Sequence, residues 1–174
     1  MHASVGSGHR SAANAIAQAF ECMKAEQTEE REQPTEAFPD VPKLPDGLEV
    51  EVLDVLDFGR VVFDGDKTAS MFTGPTRPIY DLTWRFTFTG RLLWGGGSIW
   101  SHLMYGKFTE LVRKRRPLAI ICTHITAANV AVAARMLTGQ HFPIVCVPTD
   151  YETEGLWPHQ SSDLFCVATE SMAE

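Results

Sequence analysis

Two short apolar runs frame a small-residue stretch in the second half of the chain, and that arrangement limits the fold more than anything else in the sequence. The runs are residues 118–122 (Leu-Ala-Ile-Ile-Cys) and 143–147 (Pro-Ile-Val-Cys-Val); between them lies an Ala/Val-rich segment, 124–138, closed by Gly139. Five consecutive apolar residues are too few for a buried helix, and they lack the alternation of a half-exposed strand. They fit strands covered on both faces, as in a parallel sheet. The intervening segment has helical length, with a glycine where a helix would stop. Strand, helix and strand in this order form a right-handed crossover, and a chain containing one is committed to the α/β class.

Further elements extend the pattern. Residues 48–53 (Leu-Glu-Val-Glu-Val-Leu) alternate as a strand does, residues 164–167 form a fourth apolar run, and residues 1–4 read as the tail of a strand cut short. Between them, 9–24 carries Ala12, Ala13, Ile16, Ala19, Phe20 and Met23 at helical spacing. Residues 26–46, rich in Glu, Gln and Pro, are expected to be a flexible loop, while 77–94 and 98–116 are expected helical on either side of Gly95-Gly96-Gly97. The fold expected is a Rossmann-like, doubly wound, mainly parallel sheet in a single domain spanning 1–174. That length suffices for one core. With 44% hydrophobic and 21% charged residues, disordered and collagen-like chains are excluded, and no apolar run reaches the roughly 18 residues of a spanning helix. Cys22, Cys122, Cys146 and Cys166 show no CxxC spacing and are expected to be buried thiols of a reducing compartment; no signal peptide is visible and no metal site is expected.

A strand end running through Gly6-Ser7-Gly8 into a helix has chemical content. Glycines admit a ligand to the backbone, and the helix start offers unpaired N–H groups and partial positive charge. The loop partly imitates GxGxxG, with Ser11 in place of the third glycine, but no clear acidic residue ends a second strand where a ribose would need it. His9 follows the second glycine directly. An imidazole in the first turn lies near the positive end of the dipole, which favours its neutral, proton-accepting form. Thr149 and Asp150 end one buried run, and Thr123-His124 ends another, at the sheet edge where open α/β domains bind ligands. Asp150 is a candidate to orient His9 or bind an acceptor. His124 opens the helix that follows and is a candidate to face the cleft, with N-capping of that helix by Thr123 the equal alternative.

Charge is unevenly spread. Residues 21–60 hold twelve acids and four bases, residues 77–116 eight bases and two acids, and residues 150–174 six acids and no Lys or Arg. The basic stretch is also aromatic, with Trp84, Trp94 and Trp100 beside Arg85 and Arg91. That mixture suits an anionic bilayer surface, where Trp and Arg both favour the headgroup layer. Nucleic acid is a further partner of this chemistry, and it ranks last.

Residues 4–16 (Ser-Val-Gly-Ser-Gly-His-Arg-Ser-Ala-Ala-Asn-Ala-Ile) resemble the opening motif of the N-terminal domain of monogalactosyldiacylglycerol synthases and bacterial diacylglycerol glucosyltransferases, relatives of the MurG-type enzymes. The likeness continues in the strand ending Thr123-His124, the strand ending Thr149-Asp150, in Trp157, and in 163–170, which ends Ala-Thr-Glu. Glu154 stands where the family generally shows a histidine, with His159 just beyond. The resemblance implies a GT-B enzyme of two Rossmann-like domains, of which this chain is the acceptor-side half and the donor-binding half is absent. It implies an inverting transfer of a hexose from a UDP-sugar to diacylglycerol, with His9 as general base, no cofactor and no metal. His124, Thr149, Asp150 and Trp157 are then cleft candidates, Gly6, Ser7 and Gly8 an acceptor or phosphate loop, and Trp84, Arg85, Arg91, Trp94 and Trp100 candidate membrane contacts. The protein is expected to be cytoplasmic and peripherally membrane-associated, and inactive without its other half. The competing expectation is a non-catalytic Rossmann-like module that binds an anionic membrane or a protein partner.

Overall fold

The computed structural model describes residues 1–4, 7–32, 43–59, 104–149, 157–158 and 160–173. Three strands, β1 (Ile120–Cys122), β2 (Ile144–Cys146) and β3 (Leu164–Phe165), pair in parallel in the order β1-β2-β3, with Ile121 opposite Val145 and Cys146 opposite Phe165. Hydrogen bonding continues past β3, where the Cys166 N–H donates to Cys146 O (2.8 Å). On the other flank of β1 the first residues lie alongside. The Met1 amine donates to Ile121 O (2.6 Å), and the Thr123 N–H donates to Met1 O (3.0 Å). Next comes a parallel bridge between His2 and Asp54, closed by His2 N–H to Leu53 O and Val55 N–H to His2 O.

Among the described residues the sheet therefore comprises five parallel rows, whose chain order across it is second, first, third, fourth, fifth. Chain direction across the sheet reverses between the row of His2 and β1. That gap is a topological switch point, where open α/β sheets bind their ligands at the strands' carboxyl ends.

Among the described residues three helices accompany the sheet: α1 (Ser7–Glu32), α2 (Gly106–Arg115) and α3 (Ile125–Thr138). Helix α3, the crossover between β1 and β2, packs against both strands. One apolar cluster joins Phe108 and Val112 of α2, Ala127, Ala128, Val130 and Ala131 of α3, and Ile120, Cys122, Ile144 and Cys146 of the strands. Alanines along α3 let its backbone lie close to the sheet, and residues 130–134 are all buried. Gly139 ends the helix at φ +64°, a left-handed conformation that glycine adopts without a Cβ clash, and its N–H donates to Arg135 O.

Several expectations are corrected. Residues 48–53 were expected to be a strand; only Leu53 takes part in pairing, since the register of His2 with Asp54 puts Leu53 opposite Met1 and leaves 48–52 beyond the paired stretch. The first helix starts at Ser7 rather than His9 and runs to Glu32 rather than Lys24, so 26–32 belongs to a helix and not to the expected loop. Glu, Gln and Arg are good helix formers without needing a core. Here Lys24 pairs with Glu21 (3.0 Å), and Thr28 Oγ1 donates to Lys24 O. Within 98–116, expected helical, the described helix is Gly106–Arg115, and a 3-10 turn spans Glu170–Met172. Cys122 and Cys146 are buried as expected, but Cys22 and Cys166 are exposed: the first lies on the outer side of α1 and the second beyond the end of β3. The proposed loop segment 33–42, the aromatic stretch 77–103, and residues 5–6 and 150–156 lie outside the described residues. Among the described residues no helix is long and apolar enough to cross a membrane.

Candidate active site

The first turn of α1 brings His9 across the switch point onto the end of β1. Its Nδ1 lies 2.9 Å from Thr123 O and 2.7 Å from Thr149 Oγ1, and the Thr123 hydroxyl donates back to His9 O (2.8 Å). A carbonyl oxygen only accepts, so Nδ1 carries the hydrogen. Nε2, across the ring from both partners, is then the nitrogen left to take a proton. Thr123 is buried to 1% exposure, so this double link between β1 and α1 is shielded from water. Thr149, which follows β2, is exposed. Two adjacent strand ends and one helix start thus converge on a single imidazole.

His124 stands beside it. The two rings meet edge to face, with centroids 4.5 Å apart and planes at 88°. His124 itself caps α3: its Nδ1 accepts the Thr126 N–H at 3.0 Å. The sequence expectation that Thr123 fills this capping position is therefore corrected. Thr123 sits one residue too early and spends its hydroxyl on His9 O. The His124 imidazole is pushed down to about 3, first by burial and then by the neighbouring His9, with Asp54 partly offsetting both. His124 is accordingly a neutral ring.

Asp54 occupies the carboxyl end of the row next to His2. Its carboxylate accepts the Leu56 N–H (3.0 Å), the Ser4 N–H (3.3 Å) and the Ser4 hydroxyl. An acidic residue does end the second row, contrary to the sequence reading. Both of its oxygens already accept hydrogen bonds from the chain itself. Sequence reasoning overlooked Asp54 because the 48–53 alternation drew attention to the apolar face of that segment. It also assigned Thr123 only a capping role.

The remaining candidates divide. Ser7 and Gly8 open α1 and are exposed, and Ser7 lines a polar hollow with Ser4, Arg10, Ser11 and Asn14. Trp157 is buried to 4% exposure, its ring edge to face with Phe165 at 5.9 Å, and it belongs to the apolar cluster. Gly6, Asp150, Glu154, His159, Trp84, Arg85, Arg91, Trp94 and Trp100 lie outside the described residues. Among the described residues, no three His, Cys, Asp or Glu side chains are grouped to hold a metal ion.

Fold and site together define a Rossmann-like α/β domain whose reactive groups gather at the carboxyl-terminal switch point of a parallel sheet. The model of the monogalactosyldiacylglycerol (MGDG) synthase family matches residues 43–174. The chain belongs to that family, which places it among glycolipid glycosyltransferases. The matched segment holds β1 to β3, His124, Thr149 and Trp157, while His9 and its glycine loop precede it. Comparison with the curated proteins and with the solved structures gave no match.

Proposed function

We propose that this domain is the acceptor side of an inverting glycosyltransferase of GT-B architecture, in which His9 is the general base and diacylglycerol accepts a hexose from a UDP-sugar. The observation that carries this reading is the fixing of His9 Nδ1 by Thr123 O and Thr149 Oγ1, which leaves Nε2 as the proton acceptor. The acceptor hydroxyl gives its proton to Nε2 while its oxygen forms a bond to the anomeric carbon. The bond from that carbon to the diphosphate breaks on the opposite face, its electron pair leaves with UDP, and the configuration inverts. A base held at hydrogen-bonding distance by a shielded carbonyl meets the positional demand of such a step. The sugar nucleotide would be held by a second Rossmann-like domain, as the family resemblance implies. Trp84, Arg85, Arg91, Trp94 and Trp100 are proposed to rest on the anionic membrane from which the lipid acceptor comes, making the association peripheral.

The test is transfer from a UDP-hexose to diacylglycerol in mixed vesicles by the complete enzyme. His9→Ala and His9→Gln are expected to lower kcat by roughly 100-fold or more, in the range of a lost general base, with the circular-dichroism spectrum and Tm unchanged. Retained transfer in either variant overturns the assignment of the base. Binding of the domain to anionic vesicles is expected to weaken with salt and on Trp84→Ala, Trp94→Ala and Trp100→Ala. Salt-insensitive binding overturns the membrane reading.

A further inference from the structure

The base needs an orientation as well as a hydrogen-bond partner, and two acceptors at Nδ1 do not fix the plane of the ring. An imidazole hydrogen-bonded through one nitrogen still swings about that bond. Something must stop the swing, and the ring packed against His9 is His124, centroids 4.5 Å apart with planes at 88°. His124 is itself immobilised, because its Nδ1 accepts the Thr126 N–H at the start of α3 (3.0 Å) while its backbone carbonyl accepts the Ala128 N–H (3.0 Å). A ring that caps a helix cannot turn without uncapping it.

We propose that His124 is a positioning residue for the reaction: its capped ring is the wall that holds the His9 imidazole in the plane that presents Nε2 to the acceptor hydroxyl. The inference rests on the reading of His9 as base. The hydrogen bonding of His124 also sets its tautomer. Nδ1 accepts, so the hydrogen of the neutral ring is on Nε2. With its imidazole pushed down to about 3 by burial, the wall carries no charge to oppose proton transfer onto His9. A lysine or arginine at this place would bring such a charge. A serine or aspartate would supply the cap but no ring.

Two functions reside in one side chain, and two substitutions separate them. In His124→Asn the amide oxygen replaces Nδ1 as acceptor for the Thr126 N–H, so the cap survives and the wall is gone. In His124→Phe the ring survives and the cap acceptor is gone. The complete enzyme carrying His124→Asn is expected to keep its Tm within about 2 °C. It should lose roughly tenfold or more in kcat, the scale on which misplacement of a reacting group acts, with KM for the lipid acceptor changed less than about twofold. His124→Phe, whose ring remains but is no longer pinned by the cap, is expected to lower Tm measurably and, below that Tm, to lose less kcat than His124→Asn.

Nitrogen-15 ring spectra of His9 supply a readout that a purely structural role would not move. The Nδ1–H tautomer, set by the Thr123 carbonyl, is expected to persist in both variants, whereas the His9 Nε2 signal, sharp in the wild type, is expected to broaden through ring motion most in His124→Asn. If kcat instead follows Tm across the two variants, or if His124→Asn keeps both full kcat and a sharp Nε2 signal, the positioning role is overturned. Failure of the base itself is distinguishable: it shows as transfer retained by His9→Ala, whatever the His124 variants do. Should His124→Phe fail to fold, the kcat and ring spectrum of His124→Asn still decide the matter.

Discussion

Arg135, in the last turn of α3, ties together three pieces of chain at the amino-terminal ends of β2 and β3. Its Nη1 donates to Phe142 O (3.0 Å) and lies 2.5 Å from Asp163 Oδ2, while Nη2 donates to Ser161 O (2.5 Å). The same Asp163 oxygen accepts the N–H of Ile144, the first residue of β2 (2.8 Å). Arg135→Met keeps a long apolar stem and nearly the same helix propensity, so its cost isolates the guanidinium. Two hydrogen bonds to carbonyls contribute about 1 kcal/mol each, with a further penalty if the Phe142 carbonyl finds no water. The ion pair adds little, because the Asp163 side chain is 47% exposed and solvent screens it; about 0.5 kcal/mol is a fair allowance. The expected loss is about 2–3 kcal/mol, or roughly 5–10 °C in Tm for a domain of this size, read by urea unfolding at pH 7. A loss below about 1 kcal/mol refutes the clamp. A double-mutant cycle with Asp163→Asn should give a coupling no larger than about 1 kcal/mol. Acid adds a signed check. The Ile144 N–H first, and then Arg135, hold the Asp163 carboxyl below its usual 3.8. A depressed carboxylate stabilises the fold fully above its ordinary pKa, and that contribution disappears as pH falls from about 4 through the lower folded value. Arg135→Met should flatten this acid loss without abolishing it, since the Ile144 N–H remains, and Asp163→Asn should remove it.

Thr149→Val removes one of the two acceptors at His9 Nδ1 and leaves Thr123 O in place. A neutral hydrogen bond of about 1 kcal/mol corresponds to roughly fivefold in kcat, with the fold intact. An unchanged kcat means the contact does not hold the base, and a drop beyond about 100-fold means that Thr149 does more than orient it. Thiol labelling of the native protein should modify Cys22 and Cys166, which are exposed, while Cys122, pushed up to about 12 by burial, and Cys146, also raised by burial, react only on denaturation. Four equally fast thiols would contradict the packing of β1 and β2, and no labelling at all would contradict the exposure of Cys22 and Cys166.

Local patterns that coincide with a complete element were legible without coordinates. The runs around Ile120 and Ile144 are covered on both faces and therefore unbroken in apolarity. Gly139 sits at the helix end where a positive φ requires it, and the small residues of α3 announce close packing. Glu26 to Glu32 misled because acidity and polarity describe a solvated helix as well as a loop. The alternation of 48–53 misled because alternation records which side chains face a core, and says nothing about whether a neighbouring backbone is present to pair with.

The sequence alone determined the α/β class, the crossover between β1 and β2, and the presence of a histidine at a helix start. These depend on residues near one another in the chain, whose periodicity and turn chemistry act locally. Tertiary structure decided what that histidine touches. Thr123 and Thr149 are more than 110 residues from His9, and nothing in their local sequence records that parallel pairing carries both strand ends to one helix N-terminus. It likewise made His124, rather than Thr123, the cap of α3 while setting its ring beside the base, and engaged Asp54 with Ser4. Strand order is a long-range outcome, fixed by which apolar faces can be buried together, and the chemistry of a switch point exists only once that order is set.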